Sequence, residues 1–414
     1  MQRRIPISQQ RIKATMKLLL KELIDDIAEY ENIYIFGFGL AGRWLSVQID
    51  SLVKGFIDSD LKKTGQIFEG IEVFSLDQVR NLLHERSVII LSVIDLQDVL
   101  PALTAFRGIQ SIPLGKYLEP GNGIKLRAIK ESGDFLDYSL TAVKEYHEAY
   151  YDATKLFLRS VDLMITEKCT LRCKDCSNLM QYYTRPKNIE IEEVLNDFAT
   201  IANNVDHIFE VRLIGGEPFM NKQIYDIIAA IVESSKISRV VIYSNAMIPF
   251  KPSALPVLQH PKVVLSLTDY GALAKNTASN VKILDDASVP YRLHPPENWT
   301  DSGVIFDFKR TDQENQRIFD SCCGKNLLTV SNGKLYRCPF SANADRLSAI
   351  PFDSSNSTDL AASKDALRSF VKSTKAIAAC NYCKGRSFDA PEIEAAVQVE
   401  RPIPYRMFPV YNDV

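Results

Sequence analysis

Cysteines are the residues of this sequence whose type and spacing could do chemistry. Eight are present, in an upstream group of three and a downstream group of five: Cys169, Cys173 and Cys176, then Cys322, Cys323, Cys338, Cys380 and Cys383. The five histidines lie apart from both groups. Thiolates without neighbouring imidazoles favour all-sulfur coordination over mixed Cys/His zinc sites. Iron–sulfur clusters are therefore the chemistry that these cysteines predict best.

The upstream cysteines occupy the segment TEKCTLRCKDC, which follows a predicted strand and has the spacing C-x3-C-x2-C. Three thiolates leave one iron of a cubane cluster without a protein ligand, and a small bidentate molecule can fill that position. A zinc knuckle is the structural alternative, but it needs a fourth ligand close by and the sequence offers none. The segment therefore predicts an open iron–sulfur cluster.

This spacing resembles the motif of the radical S-adenosylmethionine (radical SAM) enzymes. The resemblance implies that the open iron of a [4Fe-4S] cluster binds the amine and carboxylate of S-adenosyl-L-methionine. One electron then gives methionine and a 5′-deoxyadenosyl radical, which abstracts hydrogen from a substrate. The resemblance also implies a flavodoxin- or ferredoxin-type reductant as a partner.

One position departs from the family pattern. The residue before the third cysteine is usually aromatic, and here it is Asp175, so the pattern does not supply the expected packing for adenine. Two interpretations stay open for the charged residues Arg172, Lys174 and Asp175. They could present a polar face to the substrate or reductant, or they could belong to a solvated loop.

Two further segments resemble cofactor-binding segments of the same family. They are Gly215-Gly216-Glu217-Pro218 and Ser244-Asn245. The resemblance implies that the first holds the methionyl ammonium, and physically two glycines permit close approach of the backbone while a carboxylate balances an ammonium. The second stands where the family places polar side chains for the ribose and carboxylate. Capping of local backbone groups is the alternative role for Ser244 and Asn245.

The downstream cysteines resemble those of a second iron–sulfur domain. Cys323, Gly333 and Cys338 match C-x(9–15)-G-x4-C, the opening of the SPASM domain that accompanies many radical SAM enzymes. The pattern ends early, at Cys380 and Cys383, which resembles the shorter twitch domain with one auxiliary [4Fe-4S] cluster. A structural zinc ribbon with four cysteines is the alternative.

Five downstream cysteines compete for four ligand positions, so either Cys322 or Cys323 is spare. The spacing to Gly333 fits both and does not decide between them. A spare thiol beside the substrate could donate a hydrogen atom to a carbon radical, because S–H bonds are weaker than most C–H bonds. The alternative is a buried and inert cysteine.

Another candidate binding motif lies near the start of the chain. Gly37, Gly39 and Gly42 follow a predicted strand and open a helix, and Asp58 stands where a Rossmann acid would meet a ribose hydroxyl. The wider segment resembles small Rossmann-like domains of sugar acyltransferases and sugar C-methyltransferases in polysaccharide pathways. In the acyltransferases such a module holds a nucleotide-sugar. A structural module that binds no ligand is the alternative.

The elements that position these residues alternate between strand and helix. Such alternation predicts an α/β protein with parallel sheets, with strands at 161–166, 211–216, 240–245 and 263–267 and helices around 190–204 and 222–235. We therefore divide the chain into a Rossmann-like domain (1–120), a helical linker (121–159), a radical SAM partial (β/α) barrel (160–309), a twitch-like domain (310–390) and an extended C-terminal tail (391–414).

Composition narrows the possible partners. The 49 basic and 51 acidic residues give a net charge of −2, so no bulk positive field attracts nucleic acid. No apolar run reaches the roughly 18 residues that a membrane span needs. The charged N-terminal segment lacks the apolar core of a signal peptide. These features predict a cytoplasmic protein that binds neither nucleic acid nor membrane.

We expect an enzyme that acts on a carbohydrate, specifically a nucleotide-sugar held by the first domain. A thiol donor would make the reaction an epimerisation, whereas an auxiliary cluster that accepts an electron would make it a dehydrogenation. Modification of a ribosomally made peptide is the alternative activity, although the first domain lacks the winged-helix texture of leader-binding elements. A non-catalytic iron–sulfur carrier or scaffold is the alternative of another class, and it would have no use for the GGEP segment.

Overall fold

The computed structural model describes residues 21–49, 52–104, 106, 108–118, 133–295, 297–387 and 390–408. Contacts divide the chain into two compact units, with the boundary between Phe157 and Leu158. Strands alternate with helices in both units, which confirms the predicted α/β class. In the part of the chain described, no helix combines the length and apolar character needed to cross a membrane.

The first unit is built on a six-stranded sheet. Its strands are β1 (Asn32–Phe36), β2 (Val53–Ile57), β3 (Ile67–Phe68), β4 (Ile71–Phe74), β5 (Ser87–Leu91) and β6 (Gln110–Pro113). Their order is β3-β4-β2-β1-β5-β6, and every neighbouring pair is parallel except the β3–β4 hairpin. Without β3, this is the 3-2-1-4-5 order of doubly wound sheets, whose switch point lies between β1 and β5.

The helices of the first unit cover both faces of this sheet. They are α1 (Leu40–Ile49), α2 (Leu76–Arg80), α3 (Leu96–Leu103) and α4 (Gly133–Tyr151). Helix α4 falls in the segment expected to be a linker, yet Leu140 and Val143 are buried in the same apolar cluster as Trp44. A helix with an apolar stripe is stabilised by burying that stripe against a nearby core, so the first unit continues beyond residue 120. Residues 119–132 lie outside the described residues, as does most of the expected N-terminal helix.

The second unit is built on an eight-stranded sheet. Its strands are β7 (Phe157–Thr166), β8 (His207–Gly215), β9 (Ile237–Ser244), β10 (Val263–Thr268), β11 (Tyr291–His294), β13 (Thr329–Ser331), β14 (Lys334–Tyr336) and β15 (Ser357–Asp359), while β12 (Trp299–Thr300) and β16 (Glu392–Ile393) form a separate pair. The order is β11-β10-β9-β8-β7-β13-β14-β15, an open sheet with parallel pairs from β8 to β11. The four strands predicted between 161 and 267 are confirmed.

Seven helices described in the second unit accompany this sheet. They are α5 (Ile191–Asn204), α6 (Ile224–Val232), α7 (Leu255–Leu258), α8 (Thr277–Asp286), α9 (Asp312–Ser321), α10 (Pro339–Arg346) and α11 (Lys364–Val371). Helices α5 and α6 confirm the two helices predicted from apolar periodicity. The cysteine segment follows β7, the GGEP segment follows β8 and Ser244-Asn245 follows β9. The candidate residues therefore come from the ends of successive strands.

The downstream cysteine region shares the main sheet rather than forming a separate appendage. Strand β13 pairs in parallel with β7, with Thr329 opposite Asp162, and then turns back through Asn332 and Gly333 into β14. Both turn residues have positive φ angles, of 53° and 71°, as tight hairpin turns require. This pairing satisfies backbone groups along the second edge of β7, which would otherwise be exposed.

A buried ion pair joins the cysteine segment to α10. The Arg346 guanidinium lies 2.7 Å from the Glu167 carboxylate, and the two side chains are only 5% and 7% exposed. Glu167 also accepts a hydrogen bond from the backbone N–H of Lys187 at 3.0 Å. Because both charges are removed from water, each depends on the other for compensation.

We predict that Arg346→Met lowers the free energy of unfolding by about 3–5 kcal/mol, because it leaves the Glu167 carboxylate buried without its partner. Adding Glu167→Met should restore most of the loss. Urea unfolding of the anaerobically purified variants measures both effects. Lys282→Met, which breaks an exposed pair with Asp286, is the matched control and should change stability little. Equal stability of the Arg346 and Lys282 variants would contradict the prediction.

Candidate active site

A cavity of about 440 Å³ lies where β7, β8, β9 and β10 end. This volume is within the range of small-molecule binding sites. Among the residues that line it are the three upstream cysteines and the ends of the following strands: Cys169, Cys173, Asp175, Cys176, Asn178, Gly215, Gly216, Tyr243, Ser244, Asn245, Thr268, Tyr270, Asn298, Trp299, Thr300 and Arg386. The topology thus brings to one cavity seven of the nine residues predicted in the upstream cysteine, GGEP and Ser244-Asn245 segments.

The three upstream cysteines carry free thiols that face this cavity. Burial raises the pKa of the Cys173 thiol to about 11 and also raises that of Cys176. Within the described residues, no three His, Cys, Asp or Glu side chains converge on a position for a single metal ion. A cubane instead takes each thiolate on a different iron, so the donor set of three separate thiols fits an open cluster.

The two glycines of the GGEP segment bring the end of β8 against the cysteine segment. A Cβ at Gly215, where φ is +151°, would lie 2.0 Å from the Thr166 carbonyl oxygen, and one at Gly216 would lie 2.3 Å from that of Lys168. The Gly216 N–H donates a hydrogen bond to the Thr166 carbonyl oxygen at 3.2 Å. Both glycines also line the cavity. The carbonyl groups of the cysteine segment occupy the positions that side chains at Gly215 and Gly216 would take. The sequence had suggested only that the glycines let the backbone approach a ligand.

The Glu217 carboxylate lies behind the cavity wall. It is fully buried and accepts hydrogen bonds from the Ser244 hydroxyl (2.9 Å), the Asn245 backbone N–H (2.8 Å) and the backbone N–H that follows Pro218 (3.2 Å). Burial raises its pKa to about 7. Pro218 opens the short helical turn beyond it. The chain's own donors engage this carboxylate, so it ties β8 to β9; its contact with a methionyl ammonium stays a prediction.

Ser244 and Asn245 make the local capping contacts that were one of their two possible roles, while their role toward the cofactor stays a prediction. Both line the cavity, and each accepts a hydrogen bond from a backbone N–H two residues later, as capping residues do. The Asn245 amide also donates to the Thr170 hydroxyl at 2.9 Å and approaches the Cys169 sulfur at 3.8 Å. Asn245 thereby links the end of β9 directly to the cysteine segment.

Three aromatic side chains of the cavity were missed by sequence reasoning. Tyr243, Tyr270 and Trp299 line it, and the rings of Tyr270 and Trp299 meet edge to face at 6.2 Å. Tyr270 follows β10 much as Asn245 follows β9, so its position at the sheet edge was a usable signal. Trp299 belongs to β12, whose partner β16 lies far along the chain, and no local pattern marks it. An aromatic surface is present although Asp175 replaces the usual aromatic residue.

A positive charge was missed as well. Arg386 lines the cavity and acts electrostatically on Cys176 and on buried Asp162, opposing the rise that burial causes in the pKa of each group. Asp162 pairs with Arg212 across β7 and β8 at 2.5 Å. The cavity therefore combines aromatic surface with hydroxyl, amide and guanidinium groups.

A second cavity, of about 30 Å³, collects four of the five downstream cysteines. Cys322, Cys338, Cys380 and Cys383 line it, whereas Cys323 is exposed and does not. The geometry thus separates the two neighbours that spacing could not separate. Burial raises the pKa of Cys380 to about 12. Four thiols are the number that completes the coordination of a cubane.

Neighbouring residues of one short segment line the two cavities. Cys383 and Gly385 line the small cavity, and Arg386 lines the large one. The Arg310 guanidinium donates to the carbonyl oxygens of Cys380 and Cys383 at 2.8 and 2.7 Å. These bonds fix the turn between the last two cysteines and, with it, the start of the segment that leads to Arg386.

In the first unit, the glycine motif forms a tight turn after β1. Gly37 has a φ of +106°, and a Cβ at Gly42 would lie 2.0 Å from the Gly37 carbonyl oxygen. Gly39 has open space around it, because a Cβ at this position would have no neighbouring heavy atom within 4 Å. Two of the three glycines are therefore required by the turn and by helix packing.

Asp58 takes part in the same turn. One of its oxygens accepts the backbone N–H of Phe38 at 2.8 Å and lies 3.1 Å from the Lys63 ammonium, while the other accepts the N–H of Asp60 at 2.9 Å. These donors occupy the carboxylate that the Rossmann pattern would offer to a ribose. Asp58 therefore has a structural role in this turn, and binding of a ligand by the motif stays a prediction.

Comparison with protein families matches residues 163–279 to the Radical SAM superfamily. Residues 163–279 are a radical SAM domain. The domain contains the upstream cysteines, the GGEP segment and Ser244-Asn245. Comparison with curated protein sequences gives no significant match.

Several solved structures are similar to parts of this chain at low identity. AnSMEcpe with bound AdoMet is 15% identical, covers 33% of this chain and 42% of its own, and has a TM-score of 0.27. SuiB from Streptococcus suis bound to S-adenosylmethionine is 16% identical. The match covers 47% of this chain and 45% of the SuiB chain, with a TM-score of 0.29. BtrN in complex with AdoMet and 2-DOIA is 13% identical. The match covers 56% of this chain and 94% of the BtrN chain, with a TM-score of 0.38. The chain thus spans less than half of SuiB and of tagged anSMEcpe, whereas the match to native anSMEcpe with bound AdoMet covers 74% of that chain.

We predict that Gly216→Ala prevents binding of iron at the upstream cysteines, because the added carbon would displace the Lys168 carbonyl and the backbone beside Cys169. The iron content after anaerobic reconstitution, with the electron paramagnetic resonance (EPR) spectrum of the reduced protein, measures the loss. Gly39→Ala is the matched control, since its side chain enters open space. A Gly216→Ala protein with the iron content of the unmodified protein would refute the prediction.

Proposed function

We propose that this chain is an oxygen-sensitive radical SAM enzyme. It holds a [4Fe-4S] cluster on Cys169, Cys173 and Cys176 and binds S-adenosyl-L-methionine in the adjoining cavity. The observation that carries the proposal is that the three thiols and the ends of β8 and β9 face one cavity within the radical SAM domain. When bound, the cluster and cofactor would supply the radical that abstracts hydrogen from the substrate.

In this proposal the residues around the cluster have different tasks. Gly215 and Gly216 offer backbone to the cofactor, and Ser244 and Asn245 offer polar side chains. Glu217 is a positioning residue, because its carboxylate fixes the ends of the strands that carry the others. Buried charge-assisted hydrogen bonds of this kind are stronger than neutral ones. Replacement of Glu217 should therefore loosen the cofactor site without removing a direct ligand.

We extend the proposal to a second [4Fe-4S] cluster on Cys322, Cys338, Cys380 and Cys383. The support is that these four thiols line one small cavity with apolar walls. A structural zinc ion on the same thiols is the competing interpretation. Metal analysis of the purified protein separates the two, because only one of them adds iron and acid-labile sulfide.

We propose a carbohydrate as the substrate. Trp299 and Tyr270 provide aromatic faces, and Thr268, Asn298 and Thr300 provide hydroxyl and amide groups on the same cavity. Apolar surface with a few placed hydrogen-bonding groups suits a hydroxylated ring. A peptide substrate is the rival. Because Asp58 is engaged within its own turn, the proposal does not depend on nucleotide binding by the first unit.

We favour dehydrogenation over epimerisation. A hydrogen-donating thiol must reach the carbon radical, and among the described residues the cysteines that line the cavity are the three proposed cluster ligands. Cys323 is exposed and lies outside that wall. The segment from Cys383 to Arg386 instead brings the proposed auxiliary cluster next to the cavity. The deoxyadenosyl radical would remove one hydrogen atom from the substrate, and the proposed auxiliary cluster would accept the second electron while a proton passes to solvent.

Anaerobic incubation with S-adenosyl-L-methionine, a reductant and a panel of sugars and nucleotide-sugars tests the proposed function. Formation of 5′-deoxyadenosine would establish the reaction class, and a product lighter by two hydrogens would establish dehydrogenation. A product of unchanged mass that carries solvent deuterium would favour epimerisation instead. Absence of 5′-deoxyadenosine with every substrate, from a protein that retains its iron, would support an electron carrier. The variant with alanine at all three upstream cysteines is the control.

We predict that Cys322→Ala removes about four irons from a protein that otherwise binds about eight, because it removes one ligand of the second cluster. Cys323→Ala should keep about eight irons, since Cys323 is exposed and does not line that cavity, and should still form product. Iron and sulfide assays after identical reconstitution compare the two neighbours. Loss of iron in the Cys323 variant alone would reverse the assignment, and loss of product there with full iron content would revive the thiol donor.

A further inference from the structure

The segment that contains Ala396 to Glu400 runs along the upstream cysteine segment. The Lys174 N–H donates to the Val397 carbonyl at 2.7 Å, and the Val399 N–H donates to the Arg172 carbonyl at 2.9 Å. Cys173 and Gln398 stand opposite each other as an antiparallel bridge. The cysteine segment is therefore paired with backbone that lies more than 220 residues further along the chain.

The side chain of Gln398 strengthens this pairing and is held at both ends. Its carbonyl oxygen accepts the Arg172 backbone N–H at 2.8 Å. Its amide nitrogen donates to the Cys173 sulfur at 3.2 Å and to the Ala396 carbonyl. Such a fixed amide gives the sulfur a donor of defined direction rather than a mobile surface group. The Arg172 guanidinium donates to the Glu400 carbonyl at 2.8 Å.

The position of Gln398 is fixed from both sides along the chain. Upstream, β16 pairs with β12, the strand that carries Trp299 into the cavity wall. Downstream, the Ile403 N–H donates to the Gln181 carbonyl at 2.8 Å, and the Tyr405 hydroxyl donates to the Leu347 carbonyl at 2.9 Å. The segment is thus anchored to the cavity wall, to the turn after the cysteines and to the end of α10. It cannot shift without disturbing these contacts.

We propose that Gln398 is a positioning residue of the upstream cluster, which orients Cys173 and raises the cluster's reduction potential. The inference rests on the proposed function, since it assumes that Cys173 ligates iron. A hydrogen bond to a ligating sulfur stabilises the more negative, reduced state of a cluster, and groups that bond to metal ligands tune metal sites in this way. Gln398 therefore makes the reducibility of the cluster depend on the C-terminal segment.

Redox titration followed by EPR tests the proposal on the full chain. The signal that changes on addition of S-adenosyl-L-methionine identifies the upstream cluster. Gln398→Leu should shift its midpoint potential to more negative values, because it removes the donor but keeps the size of the side chain. Gln398→Glu should shift it further, because it keeps the acceptor for Arg172 but places negative charge beside the sulfur. Val397→Ala, whose backbone makes the pairing while its side chain is exposed, should leave the potential unchanged.

The outcomes separate this proposal from the proposed function. If the unmodified protein binds no iron that depends on the upstream cysteines, the proposed function fails. If it binds that iron and both Gln398 variants retain the unmodified potential, only the role of Gln398 is overturned. If Gln398→Leu loses the iron, its potential cannot be measured, and the potential of Gln398→Glu decides whether Gln398 tunes the cluster. A more negative potential in Gln398→Glu supports the proposal, and an unchanged potential reduces Gln398 to a purely structural contact.

Discussion

The close approach between the end of β8 and the segment after β7 is the constraint on which the rest of the candidate site depends. Thr166 and Lys168 place their carbonyl oxygens where the side chains of Gly215 and Gly216 would begin. Because no side chain intervenes, backbone N–H groups at the end of β8 can donate to carbonyls of the cysteine segment. The cysteines that follow are thereby held at the ends of the strands. The buried Glu217 carboxylate then extends the same contact to β9.

Local sequence patterns predicted the parts of the site that depend on local chemistry. The spacing of Cys169, Cys173 and Cys176 carries its ligand geometry within eight residues, and apolar periodicity placed the strands on either side. The choice between Cys322 and Cys323 could not be read in this way. Both residues precede the same turn, and which thiol points inward is decided by the path of the chain after α9 and by its bridge to Ser387.

The remaining parts were not predictable because they depend on distant contacts or on burial. Trp299 reaches the cavity through a strand pair with Ile393, and Gln398 reaches Cys173 across 225 positions. Glu217 matched a cofactor-binding motif, yet burial gave its carboxylate to the chain's own donors. Asp58 matched a ribose-binding position in the same way and is held by Phe38. A motif states which groups are available, whereas packing decides which partner occupies them.

Burial links the two thiol sites to their chemistry. It raises the pKa of Cys173 and of Cys380, so both thiols are neutral at pH 7 unless positive charge is supplied. Metal binding must then release protons, and a bound iron core would supply the compensating charge. Gly385 adds a geometric link, because its φ of +87° and the 2.9 Å between an added Cβ and the Ile318 side chain favour glycine in the turn between Cys383 and Arg386. The turn directs a thiol into one cavity and a guanidinium into the other, so the two sites cannot be rearranged independently.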